Sequence, residues 1–172
     1  MAYDILRARM QSWCIGLLSV VSDAYELGAV IGYGAPIKLK KDNDFMRPDV
    51  VFVPAELSKS INVDFIAPGD IGPTLAVDII SSAIPETQRA ARMKQYGDAK
   101  VLEVWQIEVD RPRVSFYQAD TKWGYDLVPP DKGGIYYSSV AEELSFPVNW
   151  FRTQPNLWKM MEYWGMIDPQ DE

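Results

Sequence analysis

Residues 73–105 read PTLAVDIISSAIPETQRAARMKQYGDAKVLEVW. Leu75 to Ile80 is an apolar run with one acid, Asp78, in its middle. Ser81, Ser82 and Pro85 end the run, a segment with helical spacing carries Arg89, Arg92 and Lys94, and a second β-like run extends from Val101 to Ile107. The pattern predicts a strand, a helix over Pro85–Asp98 and a second strand. A carboxylate among Leu, Val and Ile is costly to bury unless it is paired, hydrogen-bonded or bound to a cation.

A second acid stands in similar surroundings upstream. In Arg47-Pro48-Asp49-Val50-Val51-Phe52-Val53-Pro54, Pro48 can occupy only a strand entry or an edge, so Asp49 opens a strand. Val51 and Val53 share its face, and Val50 and Phe52 point the other way. If the strands of Asp49 and Asp78 are neighbours, both carboxylates project from one edge of the sheet. Two adjacent carboxylates repel, and a divalent cation between them would resolve that and could activate water. The alternative is structural: Asp49 caps a turn and Asp78 pairs with an arginine. On the helix, Arg89, Arg92 and Tyr96 share a face, whereas Lys94 lies about 200° around from Arg92. Only one of Arg92 and Lys94 can face the acids easily.

Outside these stretches, Leu6, Met10, Trp13, Leu17, Val20, Ala24 and Leu27 draw an apolar stripe at spacings of four and three. A long helix is expected over Asp4–Leu27, with Arg7, Arg9, Asp23 and Glu26 on its polar side and Gly28 at its end. Val30–Leu39 reads as a strand bent at Gly32 and Gly34, and the charged run after it as a hairpin connection. A short strand is expected at Val63–Ile66. Arg113–Gln118, Trp123–Val128 and Ile135–Tyr137 read as an antiparallel meander, Glu142–Phe146 as a last strand, and the segment after Pro155 as a docked helix.

Composition excludes several chemistries. The 172 residues contain no histidine and one cysteine, which removes Ser-His-Asp and Cys-His nucleophiles, histidine zinc sites and internal disulfides. Cys14 falls in the apolar stripe and reads as core. The formal charge of −7 argues against a general nucleic-acid coat, but not against a cleft that focuses positive charge. No stretch has the roughly 20 apolar residues of a membrane span, and a cytoplasmic protein is expected.

Arg47-Pro48-Asp49-Val50, Val77-Asp78-Ile79-Ile80-Ser81, the helix ending in Tyr96, and Glu103-Val104-Trp105 together resemble the Uma2 (DUF820) family of endonucleases in the PD-(D/E)xK superfamily. The family pattern runs R-x-P-D-V, V-E-V-L-S-x-S, a helical K-x-x-x-Y, then G-V-x-E-Y-W. The resemblance implies an α/β (α+β) fold with a restriction-endonuclease-like core, a central mixed β-sheet flanked by helices, as one domain over residues 1–172. It implies a Mg²⁺-dependent (or Mn²⁺-dependent) endonuclease acting on DNA as a homodimer. Asp49 and Asp78 would be catalytic metal ligands, with Ile79 adding its backbone carbonyl and Arg92 taking the place of the helix lysine. Tyr96 closes that helix motif, Lys94 is a neighbouring cation, Glu103 would be a supporting partner, and Glu26 would be an extra helix acid. The chain departs from the pattern at Asp78 for Glu, Arg92 for Lys, Ile80 where other relatives of the superfamily place a lysine, and Lys100 for Gly. An N-terminal Tyr-Glu-Leu…Asp-Gly segment of the family has no counterpart here. These departures point to an alternative, a catalytically impaired homologue acting as a binding or dimeric interaction module.

Overall fold

The central stretch folds as its pattern dictates, into two parallel strands joined by a helix. The computed structural model describes residues 2–39, 44–61, 66, 73–111 and 113–169. In chain order the elements are α1 (Ala2–Ala24), β1 (Gly28–Ile31), β2 (Ile37–Lys38), β3 (Phe45–Met46), β4 (Val50–Pro54), β5 (Leu75–Ile80), α2 (Glu86–Asp98), β6 (Glu103–Glu108) and β7 (Arg113–Ala119). They continue as β8 (Tyr125–Leu127), β9 (Ile135–Tyr137), β10 (Ser145–Pro147), α3 (Trp150–Thr153) and α4 (Leu157–Tyr163), with a 3₁₀ segment over Ala55–Ser60. Six strands form one mixed sheet in the order β1-β4-β5-β6-β7-β8. Only β5 and β6 run parallel, because α2 carries the chain back between them.

Strand alternation sorts the side chains into two cores. Val50, Phe52, Leu75, Val77, Ile79, Trp105 and Ile107 face α1, whose Met10, Cys14, Leu17, Leu18 and Val21 cover them. Val51, Val53, Ala76 and Val104 face the other way, with Tyr96 and Ala99 of the α2 region. Asp49 precedes Val50 and Asp78 follows Val77, so the period of two puts both on the α2 face. Trp105 anchors the α1 side among Phe116, Tyr136, Phe146 and Phe151, with Phe116 and Tyr136 stacked at 3.6 Å. Cys14 is fully buried, and burial pushes its thiol well above the usual range.

Several expectations need correction. The first helix stops at Ala24, where Glu26 turns into the left-handed region (φ 53°), and Gly28 opens β1 instead of ending the helix. The strand expected over Val30–Leu39 is two, β1 and β2, parted by Tyr33 and Gly34 at positive φ. β2 pairs with β3 as a hairpin, but its connection lies outside the described residues, as do positions 63–65 of the expected Val63–Ile66 strand; Ile66 itself makes isolated bridges to Ile37 and Ile61. The meander stops at β8, and β9 leaves the main sheet to pair with β10. The tail helix α4 packs on α1, burying Met160, while Trp164 donates to the Ser145 carbonyl at 2.8 Å.

Two backbone details seat α2. Gly97 lies so close to the turn before β8 that a Cβ there would meet the Trp123 carbonyl at 2.4 Å. Lys100 takes φ 56°, the left-handed region where the family has glycine. That substitution costs about 1–2 kcal/mol of local strain. The Lys100 ammonium lies 5.8 Å from the Trp123 ring centroid.

Candidate active site

The β4–β5 ladder ends at Val50↔Val77, and the next residues on the two strands are Asp49 and Asp78. The Asp49 N–H donates to the Val77 carbonyl at 2.9 Å, and the Ile79 N–H donates to Asp49 Oδ2 at 2.7 Å. The Asp49 side chain therefore replaces a main-chain acceptor just past the ladder. Both acids are almost fully buried, Asp49 at 4 % and Asp78 at 1 % exposure.

Each acid has an arginine. Arg92 on α2 donates from Nε to Asp78 Oδ2 at 2.5 Å and from Nη2 to the Arg47 carbonyl at 3.0 Å. Arg7 on α1 donates from Nε to Asp49 Oδ1 at 2.8 Å, with Nη2 at 2.7 Å from the same oxygen. Gln11, one helical turn on from Arg7, donates to the Asp49 carbonyl at 2.7 Å. The i, i+4 pair Arg7 and Gln11 thus clamps Asp49 from the α1 side. The structural alternative read from the sequence holds for Asp78, which is paired with an arginine. Asp49 is paired as well.

Electrostatics follow the burial. Desolvation raises the Asp49 carboxyl above its ordinary value; the Ile79 N–H and Arg7 oppose the rise, and the charge of Asp78 adds to it. Burial pulls the Arg92 guanidinium down, but the Asp78 hydrogen bond and the charges around it outweigh this, so it stays protonated at any working pH. Tyr96, one turn beyond Arg92, is fully buried, with the guanidinium 5.9 Å from its ring centroid. Its hydroxyl has no hydrogen-bond partner among the described residues. Burial first, and then the charge of Asp78, push its pKa well up.

A buried orphan hydroxyl marks either stored strain or a group that serves chemistry. Tyr96→Phe removes it and keeps the ring. The thermal midpoint is expected to rise by about 2–4 °C, the equivalent of about 1 kcal/mol in a chain this long. A fall in the midpoint would mean that the hydroxyl is bonded in solution.

The raised carboxyl of Asp49 gives a pH signature. Its folded pKa lies above the unfolded value of 3.8, so its stability contribution is complete below 3.8 and is lost as pH rises through the folded value. In chelator, the midpoint of the wild type should therefore gain on that of Asp49→Asn as pH falls from 7 towards 4. A difference that shrinks over that range would show that Arg7 and the Ile79 N–H outweigh burial.

The other expected site residues separate clearly. Lys94 turns away and pairs with Asp98 at 2.7 Å, so it does not reach the acids. Glu26 lies beyond the far end of α1, past about 25 Å of helix from Arg7 at 1.5 Å per residue, and cannot serve as an extra ligand. Glu103 pairs with Leu75 in register, three residues before Asp78, whose own partner is Gln106. Its buried carboxylate accepts from Trp105 Nε1 at 2.6 Å and from the Ser139 N–H at 2.7 Å, which pins the loop after β9. Arg89 shares the Arg92 face, as expected, and pairs with Glu108 at 2.7 Å.

Asp78 sits in a cavity of about 460 Å³ lined also by Arg7, Arg47, Arg89, Arg92 and Gln106. The sequence reading gave Arg7, Gln11, Arg47 and Gln106 no role in the site, although Arg47 opens the Arg47-Pro48-Asp49-Val50 motif. Among the described residues, no group of three His, Cys, Asp or Glu gathers for a metal, and no helix is long and apolar enough to cross a membrane.

A model of the Uma2 family, described as "Putative restriction endonuclease", matches residues 5–149. No curated protein matches the chain in sequence. Its fold is similar to the crystal structure of a DUF820 protein from Anabaena variabilis, described as a "putative nuclease", with a TM-score of 0.66. That similarity covers 87% of this chain and 81% of the other at 14% identity, so it speaks for the fold alone. Matched by the family over most of its length, and carrying the family's fold, the chain belongs to the Uma2 family.

Proposed function

We propose that the cleft around Asp78 is a divalent-metal-dependent endonuclease site that takes the phosphodiester backbone of DNA. The observation that carries this reading is an acidic chain that gathers four arginines around one buried acid pair at the end of a β-ladder. Ligands of open α/β sheets bind beyond the carboxyl ends of parallel strands, which is where β5 and β6 end at this cavity.

The donor set fits a hard cation in kind. Mg²⁺ takes oxygen ligands, uses one or two protein carboxylates and keeps several waters. Asp49 and Asp78 would hold it. The Ile79 N–H points at Asp49, and a strand residue presents its N–H and carbonyl to the same side, so the Ile79 carbonyl would be the third oxygen ligand in this reading. The chemistry such a cation supplies is activation of water and polarisation of a phosphoryl oxygen.

The chain's own residues do the rest. Arg47 and Arg92 hold the phosphate, and Arg92 meets the charge that develops on it in the transition state. Asp78 fixes the Arg92 fork, so little reorganisation is needed. Arg7, with a side chain 43% exposed, reaches solvent at the cleft mouth and opposes the rise that burial imposes on the Asp49 carboxyl. Arg92 cannot shuttle protons, so its role is charge alone.

The test is nicking of plasmid DNA with Mg²⁺ or Mn²⁺, using Asp78→Asn as the blank, together with calorimetry of metal binding. Cleavage and metal binding by wild type alone would support the reading. One observation favours a second reading: both acids are neutralised by arginines, which compete with a cation for their oxygens. A wild type that binds DNA but neither binds metal nor cuts would make the protein a non-catalytic nucleic-acid module.

A further inference from the structure

Three neighbouring cavities form a band that wraps around the carboxyl ends of β5 and β6, two on the α2 face of the sheet and the third on the α1 face. The Asp78 cavity shares Arg89 and Gln106 with a second of about 330 Å³, which shares Glu108 and Arg113 with a third of about 210 Å³. Seven of the chain's eight arginines line this band. Among the described residues, no lysine does. The acids facing it are Asp78, Glu86 and Glu108, and Glu108 is already paired with Arg89. A chain of net charge −7 thus concentrates positive charge on one track.

The third cavity lies away from the acid pair. It is formed by Arg9 of α1, Arg113 at the start of β7 and Arg152 of α3, with Leu6, Ile107 and Phe151 among its lining. The helical period explains the split along α1. Arg7 and Arg9 stand about 200° apart, so one reaches Asp49 and the other turns to the far cavity. Arg9, Arg113 and Arg152 are all exposed, and among the described residues none of them pairs with a carboxylate. Arg113 stands opposite Glu108 in the β6–β7 register, next to the Arg89–Glu108 pair, which makes the charge continuous from the acid site outward. Arginine forks match phosphate oxygens in pairs and lose less freedom per bond than lysine.

We propose that Arg9, Arg113 and Arg152 form a distal phosphate-binding site that holds a flanking stretch of the same DNA backbone whose scissile phosphate lies at Asp78. The site gives affinity and direction to the strand without touching the reacting atoms. It rests on the reading of the Asp78 cleft as a nuclease site, but binding and hydrolysis can be measured apart.

The experiment is fluorescence anisotropy with a labelled 20-base-pair duplex and its single strand, in chelator so that no cleavage occurs. Each phosphate contact contributes a slope of about 0.9 to the dependence of log affinity on log salt. Arg9→Ala, Arg113→Ala and Arg152→Ala should each weaken binding roughly five- to tenfold near 0.1 M salt and lower the slope by about one. The triple alanine variant should lose about three from the slope, and the triple lysine variant should recover most of it, which a merely misfolded protein would not do. Lys159→Ala, outside the band, is the neutral control. Preference for the duplex would place both strands along the band, and preference for the single strand one strand only; either supports the site. A triple alanine variant with wild-type affinity and slope would overturn the proposal, as would a wild type that binds neither probe. If the triple variant loses binding while wild type neither binds metal nor cuts, the distal site stands and the hydrolytic reading falls.

Discussion

Replacing Arg92 by alanine is expected to lower cleavage about a hundredfold. Among the described residues the guanidinium is the one cation hydrogen-bonded to Asp78, and it also donates to the Arg47 carbonyl, so it is held in place before substrate arrives. Removing one preorganised donor aimed at developing charge costs roughly 3 kcal/mol, about two orders of magnitude in rate. Arg92→Lys should retain or raise cleavage, because an ammonium holds a phosphate oxygen as a point charge. Lys94→Ala should change little: its side chain is 73% exposed and pairs with Asp98. The alanine variant also leaves Asp78 buried without its partner, so thermal midpoints must accompany the rates. Loss of activity with a midpoint matching that of Arg92→Lys locates the effect in the chemistry. If wild type equals Asp78→Asn in activity while Arg92→Lys cuts, the arginine has silenced a working site. If Lys94→Ala abolishes cleavage and Arg92→Ala does not, the assignment of the helix face fails.

Much of the fold was legible because local chemistry and tertiary placement agree in the central stretch. An apolar run, a proline entry to a helix and a second apolar run admit few arrangements, and the parallel β5–β6 pair follows from the helix between them. The acid pair was legible for the same reason: a charge inside a buried strand needs a partner. The partner of Asp78 could be read from the helix period, since Arg92 and Lys94 cannot face the same way. The partner of Asp49 could not. Arg7 lies 42 residues away on the polar side of α1, where it looked like an ordinary solvated residue. The one local hint was its i, i+4 spacing from Gln11, which only the packing of α1 across the strand ends makes meaningful. Gln106 reaches the cavity through the β5–β6 register, which no short pattern encodes. The departure of β9 from the sheet also escaped the sequence, because a three-residue strand reads the same whichever neighbour it joins. Lys100 was visible as a departure from the family, but its cost appeared only with its backbone angle.

Glu103→Ala is expected to be among the most destabilising single changes in the molecule, without acting on the chemistry. Glu103 is fully buried at the start of β6, and its carboxylate is consumed by Trp105 Nε1, by the Ser139 N–H at 2.7 Å and by the Ser139 hydroxyl at 2.8 Å, with the Ser138 hydroxyl at 3.1 Å. Alanine leaves those donors facing a void, and each buried donor left unpaired costs about 1–3 kcal/mol. Breaking a buried charged network by removing one member costs about 3–5 kcal/mol. At 2–4 °C per kcal/mol for a chain of this size, the thermal midpoint should fall by roughly 10 °C. Glu103→Gln keeps one acceptor but turns an amide N–H₂ towards donors, so an intermediate loss is expected. The network explains why an acid is tolerated there: it ties β6 to the loop after β9 and fixes the Trp105 ring, around which Phe116, Tyr136, Phe146 and Phe151 are packed. Metal affinity separates this role from a ligand's. Glu103→Gln should bind a divalent cation as wild type does while melting earlier. A variant that melts like wild type but loses the cation would move Glu103 into the metal site and remove it from the fold.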